Sequence, residues 1–195
     1  MIDIKEYFIK SSSVISTLQN NADTINLICE EILSAHKKDK KLLVAGNGGS
    51  CSDVEHFTGE LQCTYKDSDR KPISAISLGS HPAASTAWSN DFGYETYFER
   101  QVKAHGKSGD ILFLISTGGG NEKNGASMNL VHAAKEAKKR DIKIISLLGK
   151  TGGLLKNLSN LSIIVENDTT SHIQEAHISI LHCICEILDN RKSEL

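Results

Sequence analysis

The chain has 195 residues, of which 39% are apolar and 24% are charged, a balance typical of one globular domain spanning residues 1–195. Its formal net charge of −2 excludes a basic field over the whole chain that would attract nucleic acid or an anionic membrane. A small anionic ligand would therefore have to be held by local groups: backbone N–H groups, hydroxyls, a metal ion or a single cation.

The N-terminal region, residues 1–37, is predicted to form a helical extension. Apolar residues recur at helical spacing over residues 3–37, and the Asn20-Asn21 pair is expected to divide this stretch into two helices. From Lys41 onwards, short apolar runs alternate with helical stretches, a pattern that favours a parallel sheet with helices on both faces. The predicted strands are 41–45, 73–78, 111–116, 142–148 and 162–166. The predicted helices are 52–64, 83–88, 94–104, 127–140 and 171–188.

The cysteines and the N-terminal segment predict a cytoplasmic protein. Five cysteines, an odd number without the spacing of a disulfide framework, suit a reducing compartment. The opening segment, MIDIKEYFIKSSSV, has no long apolar run and carries acidic residues early, so we expect no signal peptide. No stretch approaches ~18 consecutive apolar residues, so we expect no transmembrane helix.

A glycine-rich turn, 46–49, leads from the first predicted strand into a helix. Ser50 is the predicted N-cap of that helix. Asp53, three residues later, stands where a capping box usually has Glu or Gln. The N–H groups at such a helix start suit an anion or a sugar oxygen. Taken alone, an ordinary tight turn explains the segment equally well, and its spacing matches neither the dinucleotide fingerprint nor a Walker loop.

Two pairs of polar residues could bind a divalent metal ion. His56 and Glu60 stand four residues apart and share one face of a predicted helix, where both can reach one ion. Gln174 and His182 are polar residues among the apolar residues of the last predicted helix. Eight helical residues rise ~12 Å, so this second pair meets at one ion only if both side chains extend, the first turn is distorted, or a neighbouring subunit supplies one residue. For either pair alone, an ordinary hydrogen-bonded surface or core position is the simpler interpretation.

A hydroxyl-rich loop follows the third predicted strand. Ser116 and Thr117 precede three glycines and a polar segment that ends at Ser127. Hydroxyls and a glycine backbone can surround a phosphate without a formal positive charge. Because ligands of open parallel sheets bind at the carboxyl ends of strands, this loop is a predicted phosphate site.

In chain order, these segments resemble the phosphoheptose isomerases over roughly residues 40–190. The matching motifs are GNGGS followed by H-x3-E, then WSNDFGYE-x2-F-x-RQV, GD-x-L-x2-IST and HIQE-x-HI-x2-LH. Members of that family, which carry a sugar-isomerase (SIS) domain, convert sedoheptulose 7-phosphate to D-glycero-D-manno-heptose 7-phosphate in heptose biosynthesis for lipopolysaccharide or capsule. The resemblance implies an α/β fold with a flavodoxin-like, doubly wound, five-stranded parallel sheet. It also implies a bound zinc ion and a homotetramer with sites near the subunit interfaces.

The resemblance further implies roles for particular residues. The implied zinc ligands are His56, Glu60, Gln174 and His182, and we expect Glu60 and His182 to act as the catalytic acid/base pair. The implied substrate-binding residues are Asn47, Gly48, Gly49, Ser50, Glu60, Asn90, Asp91, Ser116, Thr117, Gly118, Ser127 and Gln174.

The chain departs from the family pattern at three places. Extra residues lengthen the 118–126 loop, so that Ser127 and Asn129 align with the closing Ser-x-Asn of the family motif. Thr64 and His172 stand where the family usually has arginines, and each change removes a charge-assisted hydrogen bond to a phosphate or sugar. A longer loop could also admit a different sugar phosphate.

Three alternatives remain open from the sequence. The first is a non-catalytic SIS-domain scaffold of the kind that binds the bacterial replication initiator, and the second is an isomerase of another sugar phosphate. The third, a sugar-phosphate-sensing regulatory domain, would lack an attached DNA-binding module. The presence of suitable residues at all four ligand positions favours the enzyme.

Overall fold

The computed structural model describes residues 3–195 and contains one sheet of five parallel strands. The strands are β1 Leu42–Gly46, β2 Ala75–Ser77, β3 Ile111–Ser116, β4 Lys143–Gly149 and β5 Leu161–Val165. Their order in the sheet is β2-β1-β3-β4-β5. The strand order reverses between β1 and β3, and this reversal is the topological switch point of a flavodoxin-like sheet.

Helices cover both faces of the sheet. They are α1 Ile4–Ser16, α2 Ala22–His36, α3 Gly49–Gln62, α4 Pro82–Phe92, α5 Tyr97–His105, α6 Met128–Lys139, α7 Leu155–Leu158 and α8 Thr170–Asn190. Helices α2, α3 and α8 pack on one face together with Val44 and Phe113, whereas α5 and α6 pack on the other with Leu43 and Leu114. The predicted fold class is therefore confirmed. No helix within residues 3–195 combines the length and the apolar character needed to cross a membrane.

The central strands β1 and β3 are apolar at nearly every position because helices exclude water from both of their faces. Every residue of β1 and β3 is buried. Neighbouring residues of a strand point to opposite faces, so a strand covered on both sides cannot alternate apolar and polar residues. The uninterrupted runs LLVAG and ILFLIS are the result.

Most predicted elements are present, with different ends. A 3₁₀ segment at Thr17–Asn21 separates α1 from α2, which confirms the predicted break at Asn20-Asn21. The strand predicted at 73–78 is shorter, because β2 lies at the sheet edge and pairs with β1 over three residues only. Further 3₁₀ segments lie at Tyr94–Thr96 and Lys192–Glu194. The single-turn helix α7 was not predicted, since four residues are too few to display a helical period.

The N-terminal helix α1 is held against α8 by one carboxylate. Tyr7 donates a hydrogen bond of 2.7 Å to Glu175, and Ser11 donates a second one to its other oxygen. His172 lies 3.1 Å from the same carboxylate. These hydrogen bonds lower the pKa of Glu175 although burial works against them. The first two residues of the predicted extension lie outside the described residues.

A buried histidine joins α8 to the end of β4. His177 has no exposed surface, and its Nε2 lies 3.2 Å from the backbone oxygen of Leu148. Because a carbonyl oxygen only accepts, Nε2 carries the proton, and Nδ1 is a buried acceptor without a partner. Burial lowers the pKa of His177 from 6.5 to about 4.

We predict that His177 makes the protein sensitive to acid. Between pH 6.5 and about 4 the unfolded chain binds a proton at this imidazole that the folded chain does not bind. Stability from this residue is therefore complete above pH 6.5 and is lost as the pH falls towards 4, with a loss of about 2 kcal/mol at about pH 5.

The test compares the wild type with His177→Gln, whose amide N–H can still donate to Leu148. Urea denaturation at about pH 7.5 and about pH 5 should show a fall in unfolding free energy that is about 2 kcal/mol smaller in the variant. Equal falls in both proteins would contradict the prediction.

Candidate active site

The turn after β1 folds tightly onto the first turn of α3. Gly48 has a φ of +56° and serves as the N-cap, so the prediction that Ser50 caps the helix is wrong. The helix begins two residues earlier than a Ser50 cap would allow, because Gly48 adopts a positive φ that other residues avoid. Ser50 is buried inside the first turn, and a Cβ on Gly46 would come within 2.7 Å of its backbone oxygen. The capping-box role of Asp53 is wrong too, since one of its oxygens is buried without a partner.

A pair of asparagine amides connects this turn to α6. Asn47 donates to Asn129 over 3.0 Å, and Asn129 donates back over 2.9 Å. The hydroxyl of Tyr94 donates to the same Asn47 oxygen over 3.3 Å. These three residues line a cleft together with Gly48 and Ser127. The cleft lies beyond the carboxyl end of β1, next to the switch point of the sheet.

The hydroxyl-rich loop lies beside this cleft. Ser116 is buried at the end of β3, where its Oγ accepts a 3.0 Å hydrogen bond from the backbone N–H of Gly119. Ser127 lies 3.3 Å away across the loop. Residues 121–126 of the intervening segment are exposed and turn back on themselves, with a bridge between Asn121 and Ala126. The extra residues thus project outward while Ser116 and Ser127 remain in contact.

Glycines let the hydroxyl-rich loop pack directly on the loop after β4. Gly119 has a φ of +68°, and a Cβ there would come within 2.0 Å of the backbone oxygen of Gly152. A Cβ on Gly153 would meet Gly118 and Gly119 at about the same closeness. By contrast, a Cβ on Gly118 would meet nothing within 4 Å. The two loops therefore fix each other at the carboxyl edge of the sheet.

Helices α3 and α8 run side by side in the same direction. Near their starts, Gln174 lies against Gly49, where a Cβ would come within 2.5 Å of the side-chain nitrogen. About two turns further on, the rings of His56 and His182 are 5.1 Å apart. Glu60 contacts His56 over 3.1 Å, and the ring of Tyr65 stacks on His182 at 5.8 Å. The structure thus brings His56, Glu60 and His182 together on adjacent helices.

The predicted site residues fall into two groups on the chain. Asn47, Gly48, Ser116, Ser127 and their neighbours lie at the carboxyl edge of the sheet, and Gln174 lies near them against Gly49. Measured from Gly49, His56 and Glu60 lie about 10 and 16 Å further along the axis of α3, because each helical residue rises about 1.5 Å. Gln174 and His182 are similarly separated, since α8 is a regular helix over their whole interval.

Other predicted residues have separate surroundings. Asn90 and Asp91 are exposed near the end of α4 and bond to each other over 2.8 Å. Thr64, at a position where an arginine was expected, donates to the backbone oxygen of Asp67. His172, at the other such position, is buried beside Glu175. Thr64 therefore stabilises the loop after α3, and His172 stabilises the packing of α8.

Sequence reasoning assigned Asp53 to a helix cap and missed its position near the histidines. Burial raises the pKa of the Asp53 carboxyl, whereas the nearby His56 and His182 lower it. The only sequence signal was its place three residues before His56, on the same helical face. A buried carboxyl oxygen without a hydrogen bond is a costly group, and such a group in a native fold is a candidate for a functional role.

The spacing of the two imidazole rings is compatible with two ligands on one tetrahedral metal ion. Two imidazoles on one tetrahedral zinc ion hold their ring centroids about 5 Å apart, since each Zn–N bond is about 2.0 Å. The His56 and His182 centroids match this spacing. As the side chains stand, no three histidine, cysteine, aspartate or glutamate groups of residues 3–195 converge as a ligand cluster. Two imidazoles at this spacing can share one metal ion, and Glu60 would have to leave His56 to join them.

Comparisons with known proteins define the class to which this fold and site belong. The family model described as "SIS domain" matches residues 6–149. A phosphoheptose isomerase of Campylobacter concisus is 39% identical over 170 residues, covering 87% of this chain and 86% of that protein. Solved phosphoheptose isomerases from Francisella tularensis and Neisseria gonorrhoeae superpose with TM-scores of 0.88 and 0.87, at 34% and 30% identity. They cover 96% of this chain, and 96% and 97% of those chains.

The chain therefore carries an SIS domain. Within that class, it belongs to the phosphoheptose isomerase family, because the sequence likeness extends over nearly the whole length of both chains.

We predict that the contact between the two loops at the carboxyl edge tolerates no side chain at Gly119. Gly119→Ala should lower the free energy of unfolding by about 2 kcal/mol or more, because the positive φ and the Gly152 oxygen both oppose a Cβ. The neighbouring change Gly118→Ala should alter it by less than about 0.5 kcal/mol, since no atom lies near. Urea denaturation of both variants measures the difference, and equal stabilities would contradict the described loop contact.

Proposed function

We propose that this chain isomerises sedoheptulose 7-phosphate to D-glycero-D-manno-heptose 7-phosphate, an aldose–ketose isomerisation. The observation that carries the proposal is the packing of α3 on α8, which brings a carboxylate and two imidazoles together on neighbouring turns. Membership of the phosphoheptose isomerase family supports the substrate. The relatives are named phosphoheptose isomerases, which supports a heptose phosphate as the substrate.

The proposed phosphate subsite is the hydroxyl-rich loop. Ser116, Thr117 and Ser127 offer hydroxyls, and Gly118 offers a backbone N–H without a side chain in the way. Asn47, with Gly48 and Gly49, offers amide groups to the sugar oxygens at the start of α3. A phosphate held by neutral donors agrees with a chain whose net charge is −2.

In the proposed reaction, a proton moves between C1 and C2 of the sugar. The carboxylate of Glu60 removes a proton from C1 of the ketose, and His182 gives a proton to the carbonyl oxygen at C2, which yields an enediol. His182 then takes the proton of the C1 hydroxyl while Glu60 returns its proton to C2, and the aldose is formed. General acid–base catalysis of this kind contributes about 100- to 10,000-fold to a rate.

We propose that His56, Glu60, His182 and Gln174 hold a zinc ion. When bound, zinc polarises the carbonyl and hydroxyl oxygens of the sugar and stabilises negative charge on them. Gln174 lies against Gly49 on the same chain, away from His182, so it would have to extend along α8 or come from a neighbouring subunit. Glu60 would then alternate between binding the metal and accepting the proton.

We also propose a homotetramer whose sites lie near subunit interfaces. On one chain, the phosphate loop and the Glu60–His182 region are separated along α3, so a neighbouring chain would complete each site. Three apolar side chains of α1 support an interface, since Ile4, Phe8 and Ile9 are 65–68% exposed. Such a patch on a single chain is typical of a surface covered by a partner.

The proposed location is the cytoplasm. All five cysteines are free thiols, as a reducing compartment requires. Burial raises the pKa of Cys29 and Cys185 to about 12, so neither thiol is poised to form a disulfide.

We predict that Glu60→Gln reduces turnover of sedoheptulose 7-phosphate by at least about 100-fold while the fold is retained, because an amide cannot take up the proton. The matched control is Glu55→Gln, an exposed glutamate on the same helix, which should keep turnover within about twofold. Turnover is measured by following the aldose product, and the fold by circular dichroism. Full activity in Glu60→Gln would reject its role as base.

We further predict that the purified protein contains zinc and loses activity on treatment with a chelator. Added zinc should restore the activity, and His56→Ala should lower the metal content measured by elemental analysis, because an imidazole ligand is lost. His36→Ala, a change of a histidine on the distant helix α2, is the control and should leave the metal content unchanged. A metal-free protein with full activity would reject the zinc proposal and leave the isomerase proposal standing.

A further inference from the structure

A buried arginine outside the predicted site bonds to the end of the helix that carries Glu60. The side chain of Arg70, in the loop after α3, is only 2% exposed. A buried guanidinium is stable only when it is paired and its N–H groups are satisfied. Its Nε donates over 2.7 Å to Asp189, a residue of α8 whose side chain is 5% exposed.

Further hydrogen bonds from Arg70 reach the last turn of α3 and, over 2.9 Å from Nη1, the backbone oxygen of Lys71. The final four carbonyl groups of a helix have no N–H partner within the helix. Arg70 donates from Nη1 to the backbone oxygen of Leu61 over 3.1 Å, and from Nη2 to the backbone oxygen of Glu60. The last turn of α3 has no basic residue of its own, so Arg70 supplies the positive charge that a helix C-terminus favours.

Asp189 fixes the same region from the side of α8. Besides Arg70, it accepts hydrogen bonds from the backbone N–H groups of Lys66 and Asp67, over 2.8 and 2.9 Å. The ion pair thereby connects the end of α8, the loop after α3 and the backbone of Glu60. It links the two helices that carry the proposed acid and base.

We propose that Arg70, held by Asp189, is a positioning residue that keeps the Glu60 carboxylate in place relative to His182. Glu60 lies in the last turn of its helix, where a helix most readily frays, and its partner lies on a different helix. A displacement of about 1 Å at a reacting group can reduce a rate by about 100-fold. This inference rests on the proposed function, since it assigns the roles of base and acid to Glu60 and His182.

Arginine suits this position better than lysine. Its planar guanidinium presents donors in a fixed fork, which here reaches one carboxylate and two helix carbonyls at once. A lysine has one ammonium group, which cannot occupy all three places. Arg70→Lys should therefore keep the ion pair with Asp189 and lose part of the contact with α3.

The chain offers a matched control for Asp189. Asp110 is also buried, and it also accepts two backbone N–H groups and one cationic side chain, from Lys41. It lies immediately before β3, and its partners Lys41 and Lys107 belong to neither α3 nor α8. Asp189→Asn and Asp110→Asn therefore remove similar ion pairs, of which only the first bonds to the end of α3 and to α8.

The experiment compares these two variants with Arg70→Lys in turnover of sedoheptulose 7-phosphate, well below their melting temperatures. We expect Asp189→Asn and Arg70→Lys to lower kcat by about tenfold or more with KM within about threefold. Asp110→Asn should keep kcat within about twofold despite a similar loss in Tm. Hydrogen exchange of the backbone amides of residues 60–63 should accelerate in Asp189→Asn and Arg70→Lys but not in Asp110→Asn.

Equal kcat in Asp189→Asn and Asp110→Asn, or wild-type kcat in a folded Arg70→Lys, would overturn the inference. If Asp189→Asn does not fold, Arg70→Lys decides the question. If the wild type does not convert sedoheptulose 7-phosphate, the proposed function fails. Exchange at amides 60–63 then still decides whether Arg70 anchors the end of α3.

Discussion

The close packing of α3 on α8 is the constraint on which the candidate site depends. Gly49 has no side chain, and this lets Gln174 lie directly against the start of α3. From that contact the two helices continue in the same direction, so residues one or two turns later meet in register. His56 and His182 then face each other with ring centroids 5.1 Å apart, although 125 residues lie between them in the chain.

The longer loop between Ser116 and Ser127 shows how an insertion is accommodated without disturbing a site. The extra residues project into solvent, whereas the residues on either side keep their contacts. Ser116 still reaches Ser127, and Asn129 still pairs with Asn47. Insertions in surface loops cost little free energy because loop-closure entropy grows slowly with length. The longer loop therefore affects the outer edge of the cleft and leaves the floor of the cleft intact.

Several unpaired or strained groups lie where the chemistry is proposed, and others, such as Nδ1 of His177, lie away from it. Asp53 buries a carboxyl oxygen without a partner beside two imidazoles, and Gly48 and Ser127 adopt positive φ angles at the two loops of the cleft. Elsewhere the fold satisfies its buried charges, as at Lys41–Asp110 and Arg70–Asp189. A protein tolerates such costs where function requires them and compensates with stable structure around them.

The sequence by itself determined the sheet, the alternation of strands and helices, and the family. Apolar runs such as ILFLIS and ordered motifs such as GNGGS and HIQE are local properties, readable without knowledge of neighbours in space. The sequence did not locate the N-cap of α3. Gly48 occupies that position because of its positive φ angle, and no side-chain type marks such an angle in the sequence. Only the tertiary structure decided that Gln174 lies against Gly49, that Asp53 lies beside the histidines, and that Arg70 bonds to the end of α3. Those contacts join segments distant in the chain, and their geometry follows from how helices pack rather than from any spacing along the sequence.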